Sequence, residues 1–253
     1  MKKVHKRKKY VITATMLCLA LIIGIGSFHY AKEKKYPSPN TQTTDITPPH
    51  QVYPVVIIDA GHGGEDSGAI GKNGVLEKDL NLKIAIELNT LLTSAGIETR
   101  LTRTEDVLLY DKNSDYEGHK KKLDMAERLR IVQEYENAVF ISIHMNSFPQ
   151  ERYSGLQVYY SQNSPLSIDL AQTVQELTKK NLQPDNDRKI KCAGEDIYLL
   201  HKITHPAILI ECGFLSNASE CQSLCSDEYR SRLCMTLYCA ILNYFEGNTS
   251  ISS

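Results

Sequence analysis

None of the seven cysteines belongs to a C-x-x-C pair, and apart from Cys18 they are confined to the C-terminal third, at Cys192, Cys212, Cys221, Cys225, Cys234 and Cys239. That spacing excludes the usual cysteine zinc clusters and the dithiol redox motif. Cys221 with Cys225, and Cys234 with Cys239, fall in helix-patterned segments, too close along the chain for ordinary bridge geometry. They read mostly as small buried hydrophobes, although a bridge is chemically permitted in an extracytoplasmic protein. Surplus positive charge is also missing: the formal net charge is -1, which gives no basis for nucleic-acid binding. Charge of either sign is absent from "YVITATMLCLALIIGIGSF", residues 10–28, which follows six Lys or Arg residues at the start. A helix of that length reaches roughly 28 Å, enough to cross a bilayer core of about 30 Å. The basic flank, residues 1–9, should stay in the cytoplasm and the rest be translocated. A cleaved signal peptide is the rival reading, but "SFHYAKE" is a poor cleavage site.

Hydrophobic periodicity is lacking in the Pro-rich stretch that follows, so residues 29–52 read as a linker between membrane and domain. A single folded domain is expected over 53–247, with a frayed tail at 248–253. With 42% hydrophobic and 23% charged residues overall, the chain is of globular composition.

Within the domain, strand and helix patterns alternate. "YPVVIID", "IETRLTR", "AVFISIH", "GLQVYYS", "DIYLLH" and "AILIEC" read as strands. A helix carries Leu80, Ile84, Leu88 and Leu91 on one stripe and stops at Gly96; others are expected over "KKKLDMAERLRIVQEY", after Ser164 and Pro165 as cap and first turn, and over "RSRLCMTLYCAILNYFEG". The alternation predicts an α/β fold, an open, mostly parallel or mixed twisted sheet with helices on both faces. Sites in such sheets form beyond the carboxyl ends of the strands.

Polar residues stand at those ends. His62 follows "VVIID", His144 ends "VFISIH" and Glu211 ends "AILIE", while Glu77 sits where the loop after His62 turns into a helix. Taken singly, His62 is an ordinary loop histidine and Glu77 a carboxylate favoured by a helix dipole. Glu211 is harder to dismiss, because a carboxylate ending an apolar strand is costly to bury unless paired or used. Together, two imidazoles and a carboxylate with room for water are the donor set of a catalytic zinc site, and a further carboxylate would serve as general base.

Five motifs in order, "IIDAGHGGEDSGAIG", "LEKDLNL", "TRLTRTED", "FISIHMNS" and "PAILIECGFLSN", resemble the zinc-dependent N-acetylmuramoyl-L-alanine amidase family over nearly the whole domain. The resemblance implies Zn²⁺ held by His62, Glu77 and His144, with Glu211 as the catalytic carboxylate. It implies hydrolysis of the amide between the lactyl group of N-acetylmuramic acid and L-alanine in peptidoglycan. Asn146 and Asn217 are candidate substrate-binding residues. Asp59 either orients a ligand imidazole or caps the Gly-rich loop. Arg128 matches an arginine of the family's helix and reads otherwise as a salt-bridge residue; His119, His201 and His205 match no ligand. Ala60 stands where the family commonly has Pro.

The insertion at 108–119 and the lone anchor resemble the cortex-type subgroup of spore formers. That likeness implies membrane anchoring, an extracytoplasmic or forespore-envelope location, an accessory protein, and a deacetylase partner in making muramic δ-lactam. Three rivals stand beside it: a metal-free glycosidase using Glu77 and Glu211, a zinc peptidase acting on wall peptides, and a partner-activated wall-binding module.

Overall fold

Strand β1 (Val55–Ala60) is a run of β-branched residues closed by Asp59 and Ala60, and all but its first residue are buried. Such a strand can survive only in the middle of a sheet covered on both faces. In the computed structural model, which describes residues 53–111, 113 and 118–248, it has that position. The expected basic segment, apolar span, linker and most of the tail lie outside the described residues. Among those described, no helix is long and apolar enough to cross a membrane.

After a short 3-10 turn at Lys72–Gly74, the remaining elements follow as α1 (Glu77–Ser94), β2 (Thr99–Leu101), α2 (Lys120–Gln133), β3 (Ala138–Asn146), β4 (Gln157–Tyr160), α3 (Leu166–Asn181), β5 (Lys191–Cys192), α4 (Tyr198–Lys202), β6 (Ala207–Phe214), α5 (Ala218–Cys225) and α6 (Asp227–Gly247). The sheet order is β2-β1-β3-β6-β4-β5. Strands β2, β1, β3 and β6 are parallel, and β4 joins β6 antiparallel. The sheet is therefore mixed, within the expected α/β class.

Two cores cover its faces, as expected. Val56, Ile58, Ile141, Ile143, Ile208 and Ile210 pack beneath α1, α3 and α6, while Ile57, Phe140 and Leu209 pack beneath α2 and α4. On α1 the buried stripe is Leu80, Ile84, Leu88 and Leu92, one position beyond the expected Leu91. Cys212, Cys221 and Cys234 are buried as expected, whereas Cys192 and Cys225 are exposed; all six described cysteines are free thiols.

Three local expectations need correction. "DIYLLH" contains the short helix α4, not a strand. A brief apolar run has no period long enough to separate the two, and here Leu199, Leu200 and Ile203 fill the second core from a helical turn. The strand after Gly96 stops at Leu101, because Thr102 and Arg103 turn their side chains to Asp59 and to the carbonyls of Ala60 and Gly61. Ser164 does not cap α3 through its side chain; its carbonyl accepts the Ser167 N–H instead.

Ile84 is fully buried between α1 and the sheet. Ile84→Ala should lower unfolding stability by about 2–5 kcal/mol, read as a reduced urea midpoint at unchanged slope.

Candidate active site

The site begins where β1 ends. Its strand gives way to Gly61, His62 and Gly63, and His62 adopts a left-handed backbone conformation, φ 61°, that a non-glycine residue holds only under constraint. The constraint comes from buried guanidinium groups. Arg128 of α2 donates from Nη1 to the Ala60 carbonyl (2.9 Å) and from Nη2 to the His62 carbonyl (2.7 Å). Arg103 donates to the Ala60 carbonyl from Nε (2.8 Å) and to the Gly61 carbonyl from Nη2 (3.0 Å).

Arg128 is wholly buried and held by two carboxylates, Asp59 on β1 and Asp124 one turn earlier on α2. Burial pushes the Asp59 carboxyl up, but Arg128, with hydrogen bonds donated by Ser142 and Thr102, more than offsets it and leaves it below the ordinary range. Asp59 is thus hydrogen-bonded to neither imidazole and to no N–H of the glycine loop, although its charge interacts with His144. Its effect on His62 passes through Arg128.

Three strand and helix ends then converge. Glu77, the first residue of α1, brings Oε1 to 3.2 Å from His62 Nε2 and 2.9 Å from His144 Nδ1. One donor atom from each of the three lies within 4.8 Å of the others. The other Glu77 oxygen accepts the Ala69 N–H at 2.7 Å, which fixes the carboxylate plane. The second ring nitrogen of His62 is 2.9 Å from Asp66 Oδ2, so the imidazole is oriented from behind. Burial favours the neutral ring, yet hydrogen bonds to Glu77 and Asp66 raise the pKa of His62. Glu77 is the counterpart: burial opposes its charge, but contacts with His144 and His62 hold it far below the usual carboxylate value.

Close packing around the trio excludes side chains. A Cβ on Gly61 would meet His144 Cε1 and Nε2 at 2.3 Å, and one on Gly68 would meet Glu77 Oε2 at 2.5 Å. At Gly68, φ is also +64°. The glycines of "GHGGEDSGA" are therefore what lets the imidazoles and carboxylate meet.

Glu211 completes the cluster from the neighbouring strand. It lies opposite His144 in the β3–β6 register, so both side chains project from the same face, while Cys212 enters the opposite core. Both line a cavity of about 330 Å³ with His62, Ser142 and the apolar Leu199 and Leu209. Its Oε2 is buried without a hydrogen-bond partner among the described residues. Burial pushes its carboxyl up to about 7, partly opposed by His144. An orphaned carboxylate oxygen aimed at a cavity is chemically available for proton transfer.

The two asparagines part company. Asn146, at the end of β3, lines a smaller cavity with Gln157 and Tyr159 of β4 and Phe214 of β6. Asn217 accepts the Glu220 N–H as the N-cap of α5 and donates to the Glu151 carbonyl, so its amide is occupied within the chain. His119, His201 and His205 stand outside the cluster. The residues that sequence reasoning missed are Asp66, Arg103 and Asp124. A His62 needing an acceptor for its second nitrogen pointed to Asp66 nearby, and Asp124 precedes Arg128 at helical i,i+4 spacing; Arg103 left no such signal.

Comparison with known proteins follows this geometry. Residues 56–243 match the family model described as N-acetylmuramoyl-L-alanine amidase. The chain is 32% identical over 191 residues to the germination-specific N-acetylmuramoyl-L-alanine amidase of Bacillus subtilis, covering 76% of this chain and 79% of that one. Among solved structures it resembles the CwlD amidase from Clostridioides difficile in complex with the GerS lipoprotein, at TM-score 0.73 and 36% identity, covering 77% of this chain and 100% of the other. It also resembles the amidase AmiC2 of Nostoc punctiforme, at TM-score 0.65 and 30% identity over 76% and 97% of the two chains.

Asp59→Asn should cost about 3–5 kcal/mol, because it removes one of the two countercharges of a buried guanidinium. With a lowered folded pKa, the wild-type contribution is complete above the unfolded value of 3.8 and is lost as pH falls through the folded one. Urea unfolding at descending pH should therefore show the gap between wild type and variant closing under acid conditions.

Proposed function

The chain belongs to the N-acetylmuramoyl-L-alanine amidase family, and from that premise we propose that His62, Glu77 and His144 hold a zinc ion while Glu211 moves the proton. The enzyme hydrolyses the amide between the lactyl group of N-acetylmuramic acid and L-alanine in peptidoglycan. The observation that carries the zinc reading is the convergence of three donor atoms, two from imidazoles and one from a carboxylate, within 4.8 Å. The chemistry of this set, nitrogen and oxygen without thiolate, fits a catalytic rather than a structural zinc. A zinc ion so held would supply Lewis acidity toward the scissile carbonyl and toward water.

The chain's own residues do the rest. Glu211 Oε2, free of partners, takes the proton of the attacking water and passes it to the amide nitrogen of departing L-alanine. A carboxyl pushed up to about 7 by burial is matched to both halves of that transfer. Asp66 keeps the His62 ring turned toward Glu77, and Arg128 and Arg103 keep the loop beneath it from relaxing.

The similarity to a germination-specific relative supports action on spore peptidoglycan, where a separate deacetylase would be needed to complete muramic δ-lactam formation. The lipoprotein bound to the CwlD amidase supports an accessory protein for this chain as well. The apolar run at 10–28 would anchor the domain on the outer side of a membrane, in the forespore envelope.

Glu211→Gln should retain zinc at wild-type stoichiometry and lower kcat by about 10²–10⁴-fold. His144→Ala should lose both the metal and turnover. Metal analysis beside assays on peptidoglycan checks this; zinc loss in Glu211→Gln would contradict the division of roles. Mass spectrometry of the digest should find intact stem peptides with an L-alanine amino terminus, whereas fragments cut within the peptide would favour the zinc-peptidase reading.

A further inference from the structure

The catalytic row does not stop at Glu211. In the antiparallel β4–β6 pairing Gln157 lies opposite Glu211, as His144 does on the other side, so the three residues stand at one level across three strands. Beyond Gln157 is a second cavity of about 250 Å³, lined by Asn146, Tyr159, Arg188, Lys191 and the rings of Phe148 and Phe214, among others.

Its own lining is cationic, while Glu220 on a neighbouring cavity interacts with Arg188 from outside it. Two cations line it and no carboxylate does. Neither Arg188 nor Lys191 takes part in the ion pairs formed among the described residues.

Arg188 is also held in place. Its Nε donates to the Ser154 carbonyl at 2.7 Å, its Nη1 donates to Gln157 Oε1 at 3.1 Å, and its guanidinium carbon lies 4.5 Å from the Phe214 ring centroid. A guanidinium has five N–H donors, so two bonds leave most of them for a ligand. Gln157, nearly inaccessible, donates in turn to the Lys189 carbonyl and ties the segment carrying both cations to the catalytic row. Lys191 Nζ lies 5.8 Å from the Tyr159 ring centroid and is otherwise exposed.

Position decides what the cavity receives. Glu211 must reach the amide nitrogen that leaves with the peptide, whereas the imidazole cluster lies on the other side of it. A peptide leaving from Glu211 away from the imidazoles would pass over Gln157 toward this cavity. We propose that this cavity is a subsite for the carboxylate of the acidic residue that follows L-alanine in the stem peptide, with Arg188 supplying directed hydrogen bonds and Lys191 supplying charge. The proposal rests on the amidase reading of the site and adds a preference for an anionic second residue.

The test uses the full chain loaded with zinc and two matched synthetic glycan oligomers. One bears L-alanyl-D-glutamate stems with free carboxylates, and the other bears the same stems with both carboxyls amidated. Wild type should favour the acid in kcat/KM by about tenfold to a hundredfold, the worth of a charge-assisted hydrogen bond. Arg188→Gln and Lys191→Gln should each lower the acid-to-amide ratio of kcat/KM by about tenfold, while Arg188→Lys keeps part of the preference. Lys191 is exposed, so its variant carries little risk to folding. Equal turnover of both substrates by wild type would overturn the subsite. So would a loss of the same factor on both substrates in the variants, which would indicate a structural role or stacking of sugar on Phe148 and Phe214. Failure of wild type to cut either oligomer at the lactyl amide would overturn the amidase reading itself, and the subsite with it.

Discussion

A single buried guanidinium governs the geometry of this protein. Arg128 reaches from α2 to the end of β1, takes Asp59 and Asp124 as countercharges, and catches the backbone of His62 in a conformation the residue would not choose. The cost of burying the cation is offset only because every partner is in place at once. That makes the loop after β1 an all-or-none feature. Sheet, helix and loop are locked together at the point where one imidazole must be aimed.

The other catalytic side chains are aimed by the sheet itself. Parallel neighbours β1, β3 and β6 end close together, and their last residues on one face are polar where the preceding ones are apolar. The same face that buries Ile57, Phe140 and Leu209 under α2 and α4 therefore passes into the cavity holding His144 and Glu211. Packing and chemistry share one surface, separated by a single step along each strand. Glu77, entering from α1, closes the cluster from the side.

Much of this was readable beforehand, and for physical reasons. Strand ends carrying His62, His144 and Glu211 were visible because an apolar run that stops at a titratable residue is rare without purpose. Pairwise order in the sheet was not visible, since neither the antiparallel placement of β4 nor the two-residue β5 leaves a periodic trace. The misread "DIYLLH" belongs to the same class of ambiguity. Long-range polar partners were the other gap: the roles of Asp59 and Arg128 depend on a contact between residues 69 positions apart, and Arg103 acts entirely through carbonyl oxygens, which every residue possesses. Asn217 shows the converse, a loop asparagine beside a site that is employed as a helix cap.

Alternation along β6 gives the enzyme a parity. Glu211 faces the cavity and Cys212 faces the α1 core, so adding or removing one residue upstream in that strand would exchange them, presenting a thiol to the substrate and driving a carboxylate into hydrocarbon. Variation in length is thus tolerable only in loops such as the insertion before α2, and the strand must be inherited by substitution alone.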